Sequence, residues 1–287
     1  MPVVLAFMNL KGGVGKTTLA AALAREFVKD AAKKVLLIDL DPQCNLSSIF
    51  FDPDEIVRFA PQQTVLHALY PDKGDPARCL KGVKRVFAEG SLFHTERSIN
   101  LLPGSMEIYK IIATAGANEA EFCIQNFREV ISQATAYDFV FIDTNPSANL
   151  ATMCALQASH FVVAPMVMDM FSVRGIRILK EVFVDKYRWL NEDQRIIGIW
   201  NKVDIKLRDS AATSRLEKAL AKSNPEILRW VLANRIYETN HLHYEGSRKG
   251  FVQDQTNVGR LDFFNRVLNE LGHVCAELLQ RIRLVHA

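Results

Sequence analysis

The chain has 287 residues, 49% of them hydrophobic and 23% charged, with a net charge of +3, the composition of an ordinary folded globular protein. No stretch approaches the roughly 20 consecutive apolar residues of a membrane-spanning helix. The five cysteines (Cys44, Cys79, Cys123, Cys154 and Cys275) show no C-x-x-C spacing, which argues against a disulfide framework or a zinc site and suits a reducing cytoplasm.

The first apolar run, VVLAFMN (3–9), lacks a basic flank and a small-residue cleavage site. It is expected to be a buried strand rather than a signal peptide. KVLLIDL (34–40), INLLPG (99–104), DFVFIDT (138–144), HFVVAPM (160–166) and RIIGIWN (195–201) repeat the type. Their hydrophobicity is continuous rather than alternating, as a parallel sheet covered on both faces requires. Helical periodicity fills 16–31, 105–113, 119–135, 148–157, 171–190 and 209–232, and a last helix is expected over 259–284. This alternation predicts an α/β fold: a single doubly wound domain over 1–287, with a mostly parallel sheet flanked by helices. The segment 41–98 is long for one crossover and is expected to carry short helices. The polar segment 238–258 reads as an irregular loop, and long loops in compact domains often serve function.

Between the first strand and the first helix lies FMNLKGGVGKTTLAAAL (7–23). Gly12, Gly13 and Gly15 permit a backbone turn that aims successive N–H groups at phosphate oxygens, with Val14 between them and a helix N-terminus behind. Lys16 is expected to reach the β- and γ-phosphates, Thr17 to offer its hydroxyl to Mg²⁺, and Thr18 to complete the cradle. The usual pattern is G-x-x-x-x-G-K-S/T, yet Leu10 stands where its first glycine belongs and an extra lysine, Lys11, follows.

KGGVGKTT at 11–18 resembles the deviant Walker A loop, K-G-G-x-G-K-S/T, of the family that includes the ParA and Soj partition ATPases, MinD and the nitrogenase iron protein. That resemblance implies a deviant P-loop NTPase that forms a homodimer on binding ATP. It also implies that Lys11 reaches across the dimer to the partner's phosphates, a catalytic role beside that of Lys16.

Carboxylates at strand ends are expected to serve Mg²⁺ and the attacking water. LLIDLDPQCNLS (36–47) resembles the family segment D-x-D-P-Q-x-N, which implies that Asp39 lies near the metal and that Asp41 positions or activates the water. Cys44 occupies a place where glycine is usual. In YDFVFIDTNPSANL (137–150) four apolar residues deliver Asp143 to a strand end, where it can bind Mg²⁺ through water. The family's D-x-P-P is here Asp143-Thr144-Asn145-Pro146, one proline short.

Asn201-Lys202-Val203-Asp204 fits N-K-x-D, a pattern by which many GTPases read guanine. Relatives of ParA and MinD also place an asparagine there against adenine, and the loop and D-x-D-P-Q segment favour ATP with Asn201 as a base contact. The branch is narrowed by what is missing: Leu150 stands where the iron protein needs a cluster cysteine, and the chain's last residues carry no tyrosine cluster.

Charge is uneven: residues 1–150 hold 15 basic and 17 acidic side chains, residues 151–287 hold 20 and 15. The resemblance implies nonspecific DNA binding through the basic second half. Candidates are Arg174, Arg177, Lys180, Lys206, Arg208, Arg215, Lys218, Lys222, Arg248 and Lys249, each also readable as a solvated surface charge. The apolar stripe Phe263, Phe264, Val267, Leu268, Leu271, Val274 and Leu278 reads as core rather than membrane anchor. The expected activity is slow ATP hydrolysis stimulated by a ParB-like partner, in a cytoplasmic, nucleoid-associated protein that positions DNA or another large cargo. A membrane-associated MinD-like regulator and a nucleotide-switched scaffold with negligible turnover are the alternatives.

Overall fold

The computed structural model describes residues 1–31, 33–71, 75–89, 97–179, 181, 195–207, 211–223, 229, 231–238 and 261–286. Strands β1 (Val3–Phe7), β2 (Val35–Asp39), β3 (Lys84–Glu89), β4 (Arg97–Leu102), β5 (Phe139–Asp143), β6 (Phe161–Met166) and β7 (Ile196–Trp200) form one sheet in the order β3-β4-β2-β5-β1-β6-β7. All neighbours are parallel except β3 and β4.

Alternation along each buried strand feeds two cores. Leu5, Phe7, Leu37, Phe139, Phe141, Val163, Ile197 and Ile199 face one side. There they meet α1 (Lys16–Ala31) and the long α9 (Leu261–His286), whose Val267, Leu271, Val274 and Leu278 are buried. The C-terminal stripe is therefore core along these residues; the side chains of Phe263 and Phe264 lie outside the described residues. Phe27 sits edge-on to Phe139 and Phe141, with centroids 4.8 and 5.0 Å away. Truncating such a side chain to alanine costs about 3–5 kcal/mol. Val4, Ala6, Leu36, Ile38, Val140 and Ile142 face the other way, onto α5 (Ala117–Gln133) and α6 (Leu150–Ala158). Farther along that face, Ala164, Met166 and Trp200 pack on α7 (Met170–Leu179) and α8 (Ala211–Ser223).

Short helices α2 (Pro53–Arg58) and α3 (Val65–Leu69) occupy 41–98 as expected, and α4 (Ile108–Thr114) follows β4. The same segment also holds the antiparallel β3, which sequence pattern missed. Its register shifts between Arg85 and Phe87, which breaks the strict alternation of an edge strand. Arg25 lies over the Phe87 ring at 3.9 Å and Lys84 over Phe59 at 4.8 Å.

Of the helix expected over 209–232, Ala211–Ser223 and Arg229 are helical among the described residues, whereas Val231 and Leu232 are not. Val231 instead bridges Gly198, and the segment 231–238 runs beside β7. Leu232 and Ile236 donate to the carbonyls of Gly198 and Trp200, both at 2.9 Å. Glu277 of α9 holds that segment by accepting the N–H groups of Ala233 (2.7 Å) and Asn234 (2.9 Å) and the Asn234 amide (2.7 Å). Of the stretch expected as a helix over 171–190, α7 is described, and nearly all of 238–258 falls outside the described residues. Among the described residues no helix is long and apolar enough to cross a membrane.

From β1 the chain crosses toward β2, whereas from β5 it crosses to β6 on the other side of β1. The crevice at the carboxyl ends of such strands is the place where open α/β sheets bind ligands. The loops leaving β1, β2, β5, β6 and β7 all open there.

Candidate nucleotide-binding site

The loop between β1 and α1 turns on Gly13 (φ +74) and Gly15 (φ +93), conformations that side chains rarely adopt. Leu19 donates to the Gly15 carbonyl at 2.9 Å, so α1 begins directly behind the loop. Gly12 and Gly13 are exposed, Val14 and Lys16 buried, Thr17 and Thr18 half-buried. Upturned N–H groups at a helix N-terminus favour an anion.

Asp143 is fully buried at the end of β5. Its Oδ2 accepts the Thr17 hydroxyl at 2.7 Å, while its Oδ1 has no hydrogen-bond partner. Burial raises its pKa, as does the neighbouring Asp39 charge, against opposing effects of Thr17 and Lys16. Lys16 is held below its ordinary value by burial, with Asp143 and Asp41 opposing.

Asp39 lies in register with Asp143 on the adjacent strand. Its Oδ2 accepts both the N–H and the hydroxyl of Ser47, each at 2.7 Å, and its Oδ1 the Asp41 N–H at 3.2 Å. Ser47 Oγ accepts the Gly104 N–H at 2.9 Å, closing the cage. Burial pushes the Asp39 carboxyl up to about 7, with the Ser47 bonds opposing and the Asp41 charge adding. Asp41 accepts the Gln43 N–H at 2.9 Å and the Asn45 amide at 3.3 Å.

Two carboxylates, Asp41 and Asp143, thus act on one buried lysine, a third, Asp39, lies beside Asp143, and one carboxylate oxygen is orphaned. A divalent cation bound through Thr17 and Asp143 fits this surplus. Among the described residues no three His, Cys, Asp or Glu side chains form a ready-made cage. Mg²⁺ commonly needs none, being held by one or two protein groups, waters and phosphates.

Lys11 is drawn to the other side of the crevice. Its Nζ pairs with Asp169 Oδ2, and both side chains are about one-third exposed, 32% and 36%. Asp169 Oδ1 accepts the Ser172 N–H at 2.7 Å and so caps α7. Burial raises the Asp169 pKa, but the bonds from Lys11 and Ser172 outweigh it and hold the carboxyl below its ordinary value. Beneath this pair the buried Asn9 accepts the Lys11 N–H at 2.9 Å and donates to the Pro165 carbonyl at 2.9 Å. Gly175 allows α7 this approach, since a Cβ there would collide with Asn9 Oδ1.

Asn201, 3% exposed at the end of β7, donates from Nδ2 to the Val14 carbonyl at 2.8 Å. Lys202 has φ +54, and the exposed Asp204 accepts the Lys206 N–H at 2.9 Å. Cys44 adopts φ +55, which explains why glycine suits that position; burial pushes its thiol up to about 12, and the Asp39 and Asp41 charges add to this. After β5, Thr144 Oγ1 donates to the Phe7 carbonyl at 2.8 Å, and Asn149 caps α6 through the Thr152 N–H at 3.2 Å. Asn149 also donates to Asn145 at 3.4 Å, a polar tie where the family has a proline.

Arg174, Arg177, Lys206, Arg215, Lys218 and Lys222 are exposed, and Arg177 pairs with Glu181 at 2.8 Å. Lys180, Arg208, Arg248 and Lys249 lie outside the described residues.

The crevice brings together Lys16, Thr17, Asp39, Asp41, Asp143 and the loop glycines, with Asn201 at its border. Sequence reasoning missed Asn9, Ser47 and Asp169. Asp169 carries a readable cap signal three residues before Ser172, but its partner Lys11 is 158 positions away.

A family model described as an AAA domain matches residues 3–196. The chromosome-partitioning ATPase Soj of Thermus thermophilus is 32% identical over 196 residues, covering 68% of this chain and 67% of Soj. A putative plasmid partition protein from Borrelia burgdorferi, solved bound to AMPPNP, superposes with a TM-score of 0.69 at 22% identity, covering 98% and 99% of the two chains. The pNOB8 ParA structure bound to nonspecific DNA gives 0.66 at 21% identity, covering 99% of each.

Proposed function

The chain belongs to the ParA/Soj family of partition ATPases, and we propose that it is an ATP-switched dimer that binds DNA without sequence preference and helps to position a large cargo. The observation that carries this reading is the Asp143 carboxylate, bonded to Thr17 through one oxygen and orphaned at the other, beside Lys16 at the start of α1. That arrangement fits Mg²⁺ and a triphosphate. The AMPPNP bound to the Borrelia relative supports the nucleotide.

In this reading the loop N–H groups and Lys16 bind the β- and γ-phosphates. Thr17 and Asp143 would hold Mg²⁺, which would supply neutralisation of phosphate charge during phosphoryl transfer. Asp41, oriented by Gln43 and Asn45, directs the attacking water. Asp39 shapes the wall from its Ser47 cage rather than contacting the metal. Lys11 leaves Asp169 to meet the partner's nucleotide, so the site is complete only when two copies face each other. A ParB-like protein on the cargo stimulates this slow turnover.

One modest basic surface binds DNA weakly at physiological salt, because affinity rises steeply with the phosphates neutralised. Two surfaces in one rigid dimer make the second engagement intramolecular, which strengthens binding by about 10²–10⁴. The DNA in the pNOB8 ParA structure supports that partner.

Gel shifts of random-sequence duplex with ATP, ADP and no nucleotide, at two salt concentrations and beside light scattering, test the proposal. Salt-sensitive binding and a dimer only with ATP, both lost in Lys16→Ala, are expected. Equal DNA binding in all states breaks the switch. Liposome binding in place of DNA binding hands the case to a MinD-like regulator.

A further inference from the structure

Asn201 stands 187 positions from Val14 in sequence, yet its side chain grips the phosphate loop's backbone. The donor is Nδ2, the acceptor the Val14 carbonyl, and the bond is 2.8 Å long and buried. A Cβ added to Gly15 would land on the same Nδ2, so the loop passes directly against this amide. Asn201 is itself anchored: its N–H donates to the Met166 carbonyl at 2.7 Å, and beyond the left-handed Lys202 the Val203 N–H donates to Ile236 at 3.1 Å. The amide is thus a fixed point on the sheet, and the loop is the part it positions.

A trans peptide sends its carbonyl and its N–H in opposite directions. Holding the Val14 carbonyl toward Asn201 turns the Gly15 N–H away from it. A phosphate cradle built of backbone N–H groups works only if they are aimed before the anion arrives. We infer that Asn201 is a positioning residue for the phosphate loop, fixing the Val14–Gly15 peptide for polyphosphate binding whatever base the ligand carries. This rests on the proposed function's placement of a nucleoside triphosphate in the loop, and it goes beyond reading Asn201 as a base contact.

The test compares Mg-ATP with Mg-ribose 5-triphosphate, which has no base, by titration calorimetry on the full chain. The variants are Asn201→Leu, which keeps the branched shape without the donor, and Asn201→Ala. Both ligands should lose affinity by a similar factor of roughly tenfold, the worth of one neutral hydrogen bond. Weakened ATP binding with undiminished ribose triphosphate binding overturns the inference and leaves Asn201 a base reader. So does wild-type protein that binds ATP but not ribose triphosphate, because base contacts then dominate. Loss of the native melting transition in both variants makes Asn201 a general stability residue and overturns the inference as well. Wild-type protein that binds neither ligand sinks the nucleotide reading itself.

Discussion

The two walls of the crevice are built on opposite principles. The inner wall, from β1, β2 and β5, buries Lys16, Asp39, Asp41 and Asp143 and leaves a carboxylate oxygen without a partner. On the outer wall, from β6, α7 and β7, the polar side chains named above are already paired: Lys11 has Asp169, Asp169 caps α7, and Asn201 has Val14. An unsatisfied wall gains from a ligand, because unpaired buried charge is costly until an opposite charge arrives. A satisfied wall must give something up. Under the proposed function, binding and switching fall to different sides of one cleft.

The contrast breaks first at Asp41. In Asp41→Ala, turnover should fall by about 10²–10⁴, the usual cost of losing a group that acts on the attacking proton or water. ATP affinity and the ATP-dependent dimer should persist. A normal hydrolysis rate in this variant moves the catalytic role elsewhere on the inner wall.

A second test uses pH on protein without nucleotide. Asp39 has a folded-state pKa of about 7, raised above its unfolded value by burial. Its stabilising protonation is fully present below the unfolded value, near pH 4, and is lost as pH rises through 7. Wild-type stability should therefore decline between pH 5 and 8, by about 1–3 kcal/mol from this group. Asp39→Asn should flatten the slope in parallel thermal melts. An unchanged slope shows that the inner wall is not under the strain described.

The outer wall predicts the smallest effect. Asp169→Asn keeps a capping side chain for α7 but removes the charge that detains Lys11. A partly exposed ion pair is worth at most about 1 kcal/mol. Because each of the two protomers releases one such pair, ATP-dependent dimerisation, followed by light scattering against concentration, should tighten by no more than about thirtyfold. Weaker dimerisation means the pair assists assembly instead of opposing it.

What could be read in sequence was local. The glycine loop with Lys16 and Thr17 occupies a few consecutive residues, and Asp143 ends an unbroken apolar run. Six strands showed as such runs because both faces of each are covered. The seventh, β3, is an edge strand with a register shift, and nothing buries it enough to impose a pattern. Cys44 showed only as a departure from glycine; its φ of +55 gives the reason. Asn9, Ser47 and Asp169 act through partners in other loops or elements, and residue type alone does not reveal such pairings. The helix expected to 232 overran at Val231 and Leu232, whose apolar side chains continue a helical period while their backbone lies beside β7.

Among the described residues both margins of the sheet carry features that discourage a further strand. At one margin stands β3, antiparallel and broken in register, with Lys84 and Arg85 along it. At the other the 231–238 segment covers β7, and Glu277 ties up its N–H groups at Ala233 and Asn234. Edges finished in this way resist growth by strand addition, the commonest accident of exposed β-structure. Among the described residues neither edge invites a second copy to lengthen the sheet. In the proposed ATP-bound dimer the second copy would come end-on instead, over the carboxyl rim where Lys11 stands.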